Sequence, residues 1–187
     1  YVTEPNIPTE GQRGLMDWVR GGGTLVTVSG AGTLDRYDAP STILSEATGL
    51  TEQPRYRLLV ADTEDLPDVA TGKGTCGPFT AVGVRGQLQD ATDGVEARFD
   101  DGSPAVVRRQ LGKGQIVHFA WLPGLSYWKS SQATRDGLPV GFSESIRRWI
   151  SWPTELAKVE PPVVVDRPLG ETPLLQSKAG AAVTLLN

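Results

Sequence analysis

The stretch GGGTLVTVSGAG, Gly21 to Gly32, constrains this chain more than any other. Three glycines end whatever precedes them, because glycine accepts the left-handed conformation in which helices stop. TLVTV then reads as a strand of β-branched residues with little polar alternation, the pattern of a strand covered on both faces. SGAG follows as a tight turn. Upstream, Thr9 is placed as an N-cap, with Gln12 completing a capping box. Leu15, Trp18 and Val19 give the i, i+3, i+4 stripe of an amphipathic helix. Tyr1 to Thr3 is a short β-type run. Strand, helix and strand within residues 1–28 is βαβ spacing and predicts a parallel core.

Further along, Asp38 and Pro40 open a second helix, with Ile43, Leu44 and Ala47 as its buried face and Gly49 as its stop. RYRLLVAD reads as a strand. Residues 66–86, rich in Gly, Thr and Pro, resist assignment apart from one short strand near FTAVGV. VEARFD and SPAVVRRQL flank Asp101-Gly102, a hairpin signal, and GKG turns the chain into the apolar strand QIVHFAWL. Antiparallel strands are thus expected beside the parallel core. PGLSYWKSS reads as a loop. A helix follows from Phe142 to Trp152, burying Ile146, Trp149 and Ile150, with Pro153 just beyond its end. From Pro161 the chain reads as short strands and turns. The expected division is an α/β domain over 1–157 and a β-rich extension over 158–187. That extension either starts a second domain or folds back on the main sheet. Tyr1 looks like the end of a strand, so a piece of a longer or processed polypeptide is expected.

Composition narrows the function. Apolar residues make up 39% and charged residues 21%, as in a soluble globular protein. Lys and Arg total 18 against 22 Asp and Glu, which argues against nucleic acid as the main partner. No run approaches the roughly 18–20 apolar residues of a membrane span, and no signal peptide is recognisable. The single cysteine, Cys76, excludes an internal disulfide and a cysteine-rich zinc site, while leaving the compartment open. The single histidine, His118, leaves any Ser-His-Asp triad one candidate base. No cofactor or metal is expected.

The turn after TLVTV is where a nucleophile or phosphate loop would sit. A nucleophile elbow needs Gly-x-Ser-x-Gly, yet neither glycine is in register around Ser29. Gly30 and Gly32 supply two of the three glycines of a dinucleotide fingerprint, with Asp35 where the third belongs. The preferred reading is a tight turn above the sheet. His118 lies in mid-strand and is read as a core histidine bonded to a neighbour. Cys76 has no cationic neighbour in sequence and is read as a plain small residue. Glu4, Asn6, Ser29, Gly30, Asp35 and Asp38 follow the C-terminal ends of two parallel strands, the edge where open α/β sheets bind ligands. Carboxylates there serve acid-base chemistry or a cation. Against that, Asp38 suits a helix cap and Glu4 a solvated loop charge. Trp121, Tyr127 and Trp128 cluster after a strand and suit either sugar stacking or a cover over the core.

Together these motifs resemble a known family. NIPTEGQRGLMDWVRGGGTLVTVSGAGTLDRYD is similar to the helix, V-x-x-GG-T-L-V strand and acidic turn of class I glutamine amidotransferase-like domains. The nearest resemblance is to the trimerisation domain of microbial β-galactosidases and related glycosidase-associated domains. LGKGQIVHFAWLPGLSY resembles their late Gly-Lys-Gly strand, and AGAAVTLLN the early strand of the β-domain that follows. The resemblance implies a flavodoxin-like three-layer α/β/α sandwich with a mainly parallel sheet, its first strand and helix missing before Tyr1. It implies that amidotransferase chemistry is absent, because the matching turn, Ser29 to Gly32, has no cysteine and no late His-x-Glu pair follows. In those β-galactosidases hydrolysis belongs to a separate barrel, and this kind of domain helps assemble the oligomer. The resulting expectation is a non-catalytic domain of a larger carbohydrate-related protein, acting in oligomerisation or in shaping a neighbouring active site. Its partners would be further copies or other domains of its parent, with carbohydrate as a candidate ligand. The rival expectations are a hydrolase with a site around Ser29, Glu4 and Asp35, and a sugar-binding module using Trp121, Tyr127 and Trp128.

Overall fold

The computed structural model of the chain describes residues 1–57, 66–89, 91–131, 141–164 and 173–184. Two compact units, Tyr1–Ala157 and Lys158–Asn187, make up the chain.

The first unit opens with α1, Thr9–Arg20, and β1, Thr24–Val28. Pro8 occupies the N-cap and no side chain caps the helix. Gln12 is not part of a capping box. It is fully buried and ties α1 to the following loop, donating to the Ile7 and Leu34 carbonyls at 2.8 and 3.1 Å and accepting from Ser41 Oγ at 2.8 Å. The buried face is Gln12, Met16 and Val19, while Trp18 is 53% exposed. Trp18 instead lies against Gly23, where a β-carbon would come within 2.5 Å of its ring.

A short helix, α2, spans Ile43–Thr48 and stops at Gly49, which takes the left-handed conformation at φ 65°. Thr42 precedes it, so Asp38 is not its cap. Then come β2 (Thr51–Arg57), β3 (Asp68–Gly74), β4 (Gly77–Val82), β5 (Val84–Gln89), β6 (Val95–Phe99), β7 (Pro104–Leu111) and β8 (Gly114–Phe119). β2 begins earlier than RYRLLVAD suggests, and the second half of that expected strand lies outside the described residues. Residues 66–86 form strands because two glycines permit close approach. A β-carbon at Gly72 or Gly74 would lie 2.4 or 2.2 Å from the β6 backbone.

The main sheet runs β1-β8-β7-β6-β3-β4. Val2 adds a parallel bridge to Thr27 outside β1, and β1 pairs β8 in parallel. The other strand pairs of this sheet are antiparallel. The expected mainly parallel sheet is therefore corrected: tight turns at Gly102 and Gly112 join β6 to β7 and β7 to β8, and turns that short connect only antiparallel strands. β2 and β5 form a separate antiparallel ribbon.

PGLSYWKSS is not a loop but α3, Pro123–Ser130, with proline in the first turn, where its missing N–H costs nothing. The final helix of the unit, α4, spans Glu144–Leu156. It buries Ile146, Trp149 and Pro153 and runs on through the proline rather than ending before it. Alternation along β1 and β8 divides the core. Leu25 and Ile116 face α1, whereas Val26, Val28, Val117 and Phe119 join the cluster that contains Trp149 of α4.

The second unit contains an antiparallel hairpin, β9 (Leu174–Ser177) and β10 (Gly180–Val183). Among the described residues, no helix is long and apolar enough to cross a membrane.

Candidate functional site

The C-terminal end of β1 leads into the turn that the sequence singles out. Gly30 and Gly32 take positive φ, 80° and 66°, which a glycine adopts without strain. The turn is anchored to the first segment by the Gly32 N–H donating to the Glu4 carbonyl at 2.9 Å. Asn6 pairs with Leu34 in a parallel bridge, and its side-chain amide donates to Asp38 Oδ1 at 2.6 Å and to the Asp35 carbonyl at 3.1 Å. The Asp35 carboxylate accepts the N–H groups of Tyr37 and Ala39 at 2.7 and 3.0 Å. Asn6, Asp35 and Asp38 thus come together, and their polar atoms hold the shape of the loop from 34 to 40. The Glu4 side chain is exposed.

Beneath the turn lies a buried pair that sequence reasoning only half found. Thr27 and His118 are register partners on β1 and β8, so their side chains share a face. Thr27 Oγ1 and His118 Nδ1 share a hydrogen bond of 2.9 Å, as expected of a core histidine. Above them β2 carries Glu52, whose Oε2 lies 3.5 Å from His118 Nε2 and accepts the Gly30 N–H at 2.9 Å. Ser29, next to Gly30 in the turn, also favours the ionised Glu52 carboxylate. Space for this carboxylate comes from Gly86 on β5, where a β-carbon would lie 1.7 Å from Glu52 Oε1. The side chains of Glu52 and His118 are 11% and 12% exposed. Burial pushes the Glu52 carboxyl upward, but His118, Ser29 and Gly30 together outweigh it and hold the group below its ordinary value. Glu52 Oε1 and His118 Nε2 are left as buried atoms without a hydrogen-bond partner.

A cavity of about 270 Å³ opens beside this pair. Its apolar walls come from Leu25, Leu50, Leu88 and Ile116, and α2 supplies Leu44, Ser45 and Thr48. A larger depression, about 620 Å³, lies between the β3–β4 hairpin and the helices α3 and α4. Its ion pair, Lys129–Asp68, is 3.5 Å long and largely exposed.

The other expected residues fall elsewhere. Trp121 is fully buried and stacks on Phe79 with ring centres 4.6 Å apart and planes 12° apart. Tyr127 packs on Phe142 at 4.8 Å, and Trp128 is 38% exposed on α3. The three aromatics do not form one exposed platform, because Trp121 turns into the core while α3 carries the other two. The Cys76 thiol, in the turn between β3 and β4, is raised to about 11 by burial and by the carboxylates of Glu155 and Glu96. Glu52 was missed because its partners lie on other strands. The one usable signal was a lone histidine in an apolar strand, which needs a polar partner from somewhere.

No protein-family model matches the sequence, and no curated protein matches it either. Solved structures do. A β-galactosidase from Bacillus circulans sp. alkalophilus is similar over 100% of this chain and 27% of its own, with 14% identity and a TM-score of 0.69. A GH42 β-galactosidase from G. stearothermophilus is similar over 93% of this chain and 23% of its own, at 17% identity and a TM-score of 0.66. The β-galactosidase of the Antarctic haloarchaeon Halorubrum lacusprofundi gives 84% and 22%, with 18% identity and a TM-score of 0.59. The chain therefore has the fold of a segment that makes up about a quarter of these larger β-galactosidase chains.

Proposed function

We propose that this chain is a non-catalytic α/β domain of a larger glycosidase of β-galactosidase type, and that it acts in subunit association. The observation that carries this reading is the full-length likeness to a segment covering 27% of a β-galactosidase chain, which leaves most of that chain to other parts. The turn between Ser29 and Gly32 follows the C-terminal end of β1, where a nucleophile turn would sit. The carboxylate nearest its serine, Glu52, is held below the ordinary range, and such a group is a weak base for a hydroxyl. Large exposed apolar side chains supply association surface: Tyr37 is 80% exposed and Trp18 53%.

Sedimentation velocity of the 187-residue chain over a wide concentration range tests this reading. Association that deepens with concentration is expected, together with no release of ammonia from glutamine and no cleavage of a nitrophenyl galactoside. A strictly monomeric species at the highest concentration would overturn the associative role. Hydrolysis by the purified chain would overturn the non-catalytic one.

A further inference from the structure

The turn after β1 is built to receive a negative charge, and one is already in it. In a nucleophile turn the N–H of the residue after the nucleophile faces the developing oxyanion. Ser29 holds the first of those positions here and Gly30 the second. The Gly30 N–H donates instead to Glu52 Oε2 at 2.9 Å. His118 Nε2 faces the same oxygen at 3.5 Å, a second group able to donate when it carries the proton. The other oxygen, Oε1, is enclosed against β5, where a β-carbon on Gly86 would collide with it. Burying a carboxylate is costly, and a neutral side chain would tie the ribbon down at less cost. Yet Glu52 ionises more readily than an ordinary glutamate, because His118, Ser29 and Gly30 outweigh its burial. Among the described residues no Lys or Arg lines the adjoining cavity, so this preference for an anion belongs to the turn and its histidine. The carboxylate comes from β2, in a ribbon outside the main sheet. It is an addition to the turn, not part of the strand that makes it.

We propose that Glu52 is an internal plug: its carboxylate takes the place at the Gly30 N–H where the turn would hold an oxyanion from outside, and keeps the turn closed. The ligand class it stands in for is a small carboxylate. Shortening the side chain therefore turns the plug into a site, open through the cavity that Glu52 lines. The contact lies within one copy of the fold and does not depend on subunit association.

The chain has a single histidine, so the His118 ring gives one isolated set of NMR signals. Formate and acetate are titrated into wild type, Glu52→Ala and Glu52→Gln, with chloride at matched ionic strength as the control. In Glu52→Ala a saturable shift of the Gly30 amide and His118 signals is expected with formate. Its affinity should exceed that of wild type about tenfold or more, as one charge-assisted hydrogen bond provides. Glu52→Gln refills the space with a neutral group and should bind neither anion. Should Glu52→Ala unfold in chloride, formate is expected to restore its fold. Wild type gives a further reading. Its Gly30 amide proton, bonded to a carboxylate, should move upfield as acid protonates Glu52, and should not do so in Glu52→Gln. Signals of Glu52→Ala that formate leaves unmoved, or an unfolded Glu52→Ala that formate does not restore, would overturn the plug. So would a wild type that binds formate equally well, or a Gly30 amide that stays still in acid. Sedimentation of the same samples keeps the two readings apart: strictly monomeric protein with a formate site in Glu52→Ala would overturn association and leave the plug standing.

Discussion

Both faces of the β1–β8 pair carry apolar core toward their starts, but they diverge toward the C-terminal ends of the two strands. On the α4 face, Val26, Val28 and Phe119 pack with Trp149, and Phe79, Phe119, Trp121 and Trp149 meet edge-on or stacked. That face is filled. On the other face, one residue along each strand, Thr27 and His118 meet Glu52 beside a cavity. Period-two alternation lets adjacent residues serve such different ends. Close-packed aromatic groups give the fold its stability, whereas polar groups in a low-dielectric pocket cost stability and are kept where a ligand can use them. The contrast separates the scaffold from the site without reference to any relative.

That contrast can be broken from either side. The largest effect is expected from Trp149→Ala, which empties the filled face. It should cost about 3–5 kcal/mol in urea denaturation, since Trp149 is fully buried. A loss below 1 kcal/mol would show that the aromatic face is not the main support of the fold.

Glu52→Gln comes next, at about 1–3 kcal/mol near neutral pH. The pH dependence has a definite sign. Because the folded protein holds Glu52 below its ordinary value of 4.5, the unfolded chain takes up the proton first as pH falls. The stabilisation is fully present above that ordinary value and is lost as pH drops through the lower folded value. The gap between wild type and Glu52→Gln should therefore close in acid. Parallel curves from pH 7 down to pH 3 would contradict the assigned environment. The smallest effect is expected from Trp128→Ala on exposed α3, within about 0.5 kcal/mol. A larger loss would assign Trp128 a packing role.

How far the sequence reveals this contrast depends on how local each cause is. The hairpin at Asp101-Gly102, the Gly-Lys-Gly turn and the strand TLVTV were all legible, because turn chemistry and β-branching act within a few residues. The parallel start was legible too, through Val2, α1 and β1. Antiparallel strands are also expected beside that core, but they make up most of the sheet instead of additions to it. The strands between β3 and β8 return through short turns, and the glycine-rich β3 looks like a loop until β6 is laid across it. The helix faces were misread where one side chain had an unusual task. Gln12, expected at a helix end, is a buried tie, and Trp18, expected in the core, covers Gly23. The turn from Ser29 to Gly32 was correctly placed at the edge of β1, but the residue that gives it chemistry is Glu52, on a ribbon outside the main sheet. No local pattern points from one to the other.

The polar face depends on Glu52 and His118 acting as one unit across two sheets. A double-mutant cycle with Glu52→Gln, His118→Gln and the double variant, read as unfolding free energies at pH 7, measures that directly. The account predicts a coupling of about 1 kcal/mol or more, shrinking as the pH is lowered through the glutamate range. Losses that simply add, within about 0.5 kcal/mol, would contradict it.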